Sequence, residues 1–281
     1  MAEPVFVAPR SLGEALELNA SEGALALAGG TALAALLRSR LVEASTLVYL
    51  ANVPELGTIR HDGRALRLGG GATYRQVARS PEVAAVALEL GVVAGRVANP
   101  RVRSVATIGG ALVHADPRQD LPTVLLALDA TVVLARPGST RAVPLDGLAR
   151  GLMDTVVAED ELVVEVQVPS SPGRRLAYER FTPASEDDFP TVAVAAAARR
   201  DGVGRVVDLR VAVGAAAPVA YLVPGTDALL GIEAPPDAQL ASLAASAAKL
   251  AAPSADRHGS VTYKQEMVQL HVLRALRRAL A

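Results

Sequence analysis

Apolar residues fall in short runs along the chain, broken at many points by glycine, proline or arginine. "SLGEALEL" from Ser11 has the S-x-x-E form of a capping box, with Ser11 and Glu14 serving the free amides of a helix start. "ALALA" at residues 24–28 predicts a short buried strand ended by Gly29 and Gly30. Thr31 to Arg38 then has a helical pattern, and "STLVYL" at 45–50 predicts another strand. This order of strand, glycine turn, helix and strand has roughly the size of a unit that packs parallel strands.

A second unit follows "VPEL". Asp62-Gly63 marks a hairpin between "GTIR" and "ALRLG", and a capped helix is expected near Thr73. "PEVAAVALELGVVAGRVA" predicts a further helix. The stretch from Arg101 to Arg136 passes through another glycine pair, Gly109-Gly110, into a helix and then a strand. "ELVVEVQV" is a strand, and the composition changes near residue 170, where "VPSSPGRR" reads as a linker. Beyond it, "FPTVAVAAAARR" and "VVDLRVAVGAAAP" predict strands, and Ala/Leu-rich patterns at about 237–252 and 260–280 predict helices. There is no repeat and no long tract of disordered composition.

Composition narrows the function classes. At 281 residues and 51% hydrophobic, the chain can bury a core sufficient for one large or two modest domains. A net charge of -1 gives no basic excess to draw it to nucleic acid or anionic membrane. The absence of cysteine excludes a disulfide framework, thiol catalysis and thiolate-held iron–sulfur or zinc sites within this chain. The N-terminus lacks the signal-peptide pattern and no apolar run is long enough to span a bilayer, so a soluble cytoplasmic protein is expected.

The glycine pairs carry the candidate chemistry. Two glycine loops at element ends can aim several amides at one anion without lysine, and the pyrophosphate of a dinucleotide suits two such loops best. Neither loop has G-x-G-x-x-G spacing, and "GGGAT" at 69–73 does not become G-K-[ST], which disfavours the Rossmann and P-loop folds. Asp120, before an apolar helix, reads either as an N-cap, with Pro122 tolerated in the first turn, or as an acceptor for ribose hydroxyls. The four histidines show no metal-type pairing; His114 with Asp116 and Asp120 reads as a turn, and no metal site is assigned. No G-x-S-x-G elbow is present, Asp187-Asp188 reads as a solvated turn, and no catalytic acid or base is assigned.

"AGGTAL" (28–33), "LGGGATYRQVA" (68–78), "VRSVATIGGALVHADPRQDLPTVLLALDA" (102–130), "AYER" (177–180), "EDDFP" (186–190) and "DRHGSVTYK" (256–264) together resemble the flavoprotein subunit of the molybdenum hydroxylases, the carbon monoxide dehydrogenase and xanthine dehydrogenase family. The resemblance runs in order over nearly the whole chain. It implies an α+β fold: a vanillyl-alcohol-oxidase-like (PCMH-type) FAD-binding part over 1–171, with lobes of about 1–56 and 57–171, and a C-terminal α+β domain of the CO dehydrogenase flavoprotein type over 172–281.

The resemblance also implies a set of cofactor contacts. Ala28, Gly29, Gly30, Thr31, Ala32 and Leu33 match the loop that wraps the FAD pyrophosphate, and Thr107, Ile108, Gly109 and Gly110 match the second loop on it. Bare backbone would then let amides approach a diphosphate closely. Asp120 matches the acidic residue near the adenosine ribose. Val163 matches the strand passing the flavin, Tyr178 an aromatic beside the ring, and Arg180 a position near the ring often held by lysine. Ala111 in place of asparagine and Val97 in place of an aromatic depart from the pattern.

The implied function is electron transfer within a multi-subunit molybdenum hydroxylase. Iron–sulfur clusters on a small subunit deliver electrons from a molybdenum cofactor on a large subunit, and FAD here passes them to an external acceptor. The missing cysteines agree with clusters held elsewhere. A stand-alone FAD-dependent oxidoreductase and a flavin-free assembly subunit are the alternatives.

Overall fold

The computed structural model describes residues 4–183, 185 and 187–281; residues 1–3, Ala184 and the Glu186 of "EDDFP" lie outside the described residues. The chain opens with β1 (Val5–Val7), α1 (Leu12–Asn19), β2 (Ala24–Leu27), α2 (Leu33–Arg38) and β3 (Thr46–Tyr49). They form a parallel three-stranded sheet in the order β1-β3-β2, the parallel packing that the glycine-turn unit predicts. β1 was not expected, because three residues are too few to show a period. At α1 the Ser11 hydroxyl accepts from the N–H of Glu14, but the Glu14 carboxylate reaches one residue further back and accepts from Arg10, so the expected box does not close.

The middle of the chain supplies β4 (Ile59–His61), β5 (Ala65–Gly69), α3 (Tyr74–Arg79), α4 (Pro81–Ala94), α5 (Pro100–Arg103), α6 (Ile108–His114), α7 (Asp120–Ala127), β6 (Thr131–Arg136) and β7 (Ser139–Pro144). A small ribbon of β8 (Ala149–Gly151) and β9 (Asp154–Thr155) precedes β10 (Leu162–Pro169). The Asp62-Gly63 hairpin joins β4 to β5 as predicted, Gly63 taking φ +85° and the Asp62 carboxylate accepting from the amides of Arg64 and Ala65. Thr73 and Gln76 close a full capping box at α3. The second glycine pair lies not before a helix but in the first turn of α6, which Thr107 caps, and α7 follows as a separate helix because the chain turns at Ala115, φ +49°, before Pro117. An antiparallel sheet in the order β4-β5-β10-β6-β7 backs these helices; β7 is an exposed polar edge and so left no apolar signature.

The C-terminal part comprises β11 (Arg175–Phe181), β12 (Val192–Arg200), β13 (Val206–Gly214), β14 (Tyr221–Leu222), α8 (Asp237–Leu250) and α9 (Val261–Leu280), the strands pairing antiparallel in chain order. β12 is apolar at successive positions because both of its faces are covered. Ala195 and Ala197 join the core of the middle unit, whereas Val194, Ala196 and Ala198 pack under α8 and α9. β11 is masked in the sequence by its charged residues, and their placement sets the site described next.

Candidate functional site

The two glycine loops meet. A Cβ on Gly29 would lie 1.9 Å from the Val105 carbonyl oxygen, so the first loop touches the backbone that leads into the second. The second loop is pressed against the triple-glycine stretch: the Gly109 N–H donates to the Gly70 carbonyl at 2.8 Å, and a Cβ on Gly109 would come within 2.7 Å of that oxygen. Val163 enters the same stack through its backbone, its carbonyl lying 1.9 Å from where a Gly70 Cβ would sit. The bare backbone at Gly29 and Gly109 is therefore required by chain-on-chain packing, in addition to the close approach to a diphosphate that the family resemblance implies. "GGGAT" was the available signal for Gly70.

The loops differ in the amides they leave open. The N–H groups of Gly29, Gly30, Thr31, Ala32 and Leu33 have no acceptor among the described residues. β2 stops at Leu27, one residue short of the predicted run, so Ala28 already belongs to the loop; Gly30 takes φ +67°, and Ala32 stands at the start of α2 with no side-chain cap. All six residues are at least partly exposed, so an anion can reach this run of donors. In the second loop, Ile108 donates to Ala72, Gly109 to Gly70, and Gly110 and Ala111 to the hydroxyl and carbonyl of Thr107. That loop spends these amides on the protein, contrary to the expectation that both loops offer them. Its backbone bridges to Thr73, which ties α3 to α6.

Asp120, Tyr178 and Arg180 form one cluster. Asp120 opens α7 but does not cap it; Gln119 holds the cap position, without a side-chain bond, and the Asp120 carboxylate turns inward. Its Oδ1 accepts from the Tyr178 hydroxyl at 2.6 Å and from Arg180 Nε at 2.7 Å. The N-cap reading is thus overturned, and Arg180 is held rather than solvated. Alternation along β11 explains the meeting: Tyr178 and Arg180 are two apart and share a face, while Glu179 between them pairs with Arg278 and lies 3.4 Å from Nδ1 of His271, both on α9. Burial pushes the Tyr178 phenol well above its ordinary value, and the Asp120 charge adds to this. Tyr74, at the start of α3, is raised by burial and by the same carboxylate; it carried no sequence signal.

A second ion pair borders the cluster. Asp116 is buried and receives a bidentate fork from Arg118, whose guanidinium also lies 4.7 Å from the Phe189 ring centroid. Burial raises the Asp116 carboxyl, but the Arg118 side chain and N–H outweigh it and hold the group below its ordinary value. Arg180 Nη2 also donates to the carbonyl of Asp188, which fixes the 187–190 turn to β11. The C-terminal motif is structural at Lys264, whose buried ammonium donates to Ser254 and pairs with Asp256. Among the described residues, no three His, Asp or Glu side chains gather as a metal site, and no helix is long and apolar enough to cross a membrane.

Residues 2–171 match the family described as the FAD binding domain in molybdopterin dehydrogenase, and residues 177–279 match the CO dehydrogenase flavoprotein C-terminal domain. The chain is 33% identical to the carbon monoxide dehydrogenase medium chain of Hydrogenophaga pseudoflava, covering 98% of this chain and 96% of that one. It is also 33% identical to the nicotine 6-hydroxylase medium subunit of Paenarthrobacter nicotinovorans, over 96% and 95% of the two chains. The solved carbon monoxide dehydrogenase of Hydrogenophaga pseudoflava that lacks the Mo-pyranopterin moiety superposes with a TM-score of 0.93 at 33% identity, covering 99% of this chain and 97% of that one. The chain therefore belongs to the family of FAD-binding medium subunits of molybdenum-containing dehydrogenases, the carbon monoxide and xanthine dehydrogenase type.

Proposed function

We propose that this chain binds FAD and carries electrons from iron–sulfur clusters on a small partner subunit to an external acceptor, within a complex whose large subunit holds the molybdenum cofactor. The observation that carries the reading is the run of unpaired amides from Gly29 to Leu33, a donor array suited to a diphosphate. FAD supplies the redox chemistry, taking up and releasing electrons between partner and acceptor.

The residues divide the work of holding it. Ala28 to Leu33 bind the diphosphate through backbone N–H groups, and Thr107 to Gly110, with Gly70 beneath them, hold that loop in place. Asp120 serves the same end of the cofactor as Tyr178 and Arg180, since one carboxylate oxygen holds both side chains. We thus assign it to the ring side rather than to the adenosine ribose. Arg180 keeps a fixed positive charge there, with Val163 lining the strand that passes the ring. The division at residue 171 and a cytoplasmic location belong to the same proposal.

The test is the visible absorption of the purified full chain titrated with FAD, followed by tagging the chain in its native host and measuring iron and molybdenum in what co-purifies. One flavin per chain with both metals retained is expected. Flavin without the metals favours a stand-alone oxidoreductase, and a complex without flavin sinks the electron-transfer reading.

A further inference from the structure

A cavity of about 450 Å³ opens where α4, the end of β10, the start of β11 and the end of α9 converge. Its volume is in the range of small-molecule sites, which favour seams between packed units. Arg174, Arg175 and Arg278 line it together with the Ser171 hydroxyl, and Leu88 and Leu176 contribute apolar wall. Glu89 is the acidic side chain of the lining.

Its arginines are incompletely satisfied. Arg175 is exposed and has no acceptor among the described residues. Arg174 is largely buried; it donates to the Leu128 carbonyl at 3.1 Å and to Asp208 at 3.3 Å, while its solvent-shielded Nε has no acceptor among the described residues. Arg278 spends only Nη1, on Glu179 at 2.6 Å and the Tyr178 carbonyl at 3.2 Å. A guanidinium has five N–H donors and no acceptor, so this wall is rich in unspent donors of fixed positive charge. The helical run of α4 breaks at Ala87, in the cavity wall, and the next residue, Leu88, is 58% exposed, an apolar side chain left without a cover.

From this combination we propose that the cavity binds a small organic anion: a compact apolar body bearing one carboxylate, with the carboxylate on Arg174 and Arg175 and the body against Leu88 and Leu176. Arginine suits the planar carboxylate through its two-pronged donor geometry. The site is separate from the glycine-loop amides.

Calorimetric titration of the full chain with benzoate tests it, with acetate, inorganic phosphate and benzylammonium as comparisons. Saturable 1:1 binding of benzoate is expected, with acetate weaker for want of an apolar body and benzylammonium failing for its charge. Arg175→Glu and Leu88→Asp, both at exposed positions, are each expected to weaken benzoate at least about tenfold while the thermal midpoint is retained. Phosphate binding as tightly as benzoate, equal binding of benzylammonium, no saturation by benzoate, or indifference to both substitutions would overturn the proposal.

Discussion

The hydroxyl of Tyr178 donates to Asp120 at 2.6 Å, linking strand β11 to the first residue of α7 across 58 residues of sequence. Arg180 shares the same oxygen, so one carboxylate holds the C-terminal sheet against the glycine-loop unit. Asp120→Ala leaves a mostly buried guanidinium without this partner, and a loss of about 3–5 kcal/mol is expected. Tyr178→Phe removes a single charge-assisted bond, for about 1.5–3 kcal/mol. Denaturant unfolding of the three proteins, wild type included, gives the order; equal stability of Asp120→Ala and wild type contradicts it.

Gly29 serves the chain before it serves any ligand. Gly29→Val drives a Cβ into the Val105 carbonyl and is expected to lower the thermal midpoint of the flavin-free protein. Gly13→Ala is the control: Gly13 lies inside α1 with nothing within 4 Å of a new Cβ, and a gain of about 0.4–1 kcal/mol is expected. A Gly29→Val midpoint equal to wild type, with flavin binding lost, would return that glycine to a purely ligand-directed role.

Acid stability tests the Asp116–Arg118 pair. The folded carboxyl is held below its unfolded value, so its contribution is present in full above the unfolded pKa of about 3.8 and is lost as pH falls through the lower folded one. Thermal midpoints measured from pH 6 to pH 3 are expected to fall less steeply in Asp116→Asn than in wild type. Parallel curves for the two proteins count against the pair.

His271 acts in the same direction at milder pH. Burial lowers its pKa, Glu179 opposes this in part, and Arg274 adds to the lowering. The folded state therefore binds fewer protons, and stability present above pH 6.5 is expected to decline as pH falls below it. His271→Gln should flatten stability between pH 7 and pH 5. An unchanged slope would show that Glu179 compensates for burial in full.

The hydrophobic pattern alone determined much of this molecule. The parallel glycine-turn unit, the Asp62-Gly63 hairpin, the strand β12 and the two closing helices are written in local periodicity and turn chemistry, which a few neighbouring residues decide. The ordered motifs from "AGGTAL" to "DRHGSVTYK" likewise marked the family, because a residue-by-residue match needs no coordinates. Tertiary structure alone decided what each residue does. Gly70 meets Gly109 and Gly29 meets Val105 across long sequence separations, so the packing that demands glycine has no local signature. The spent amides of the second loop depend on acceptors from Gly70 and Ala72, which only the fold brings near. Asp120 reads from its helical neighbours as either a cap or a ribose acceptor, yet its carboxylate meets Tyr178 and Arg180 of β11. A local pattern shows where a side chain starts, and only the fold shows which charge it meets.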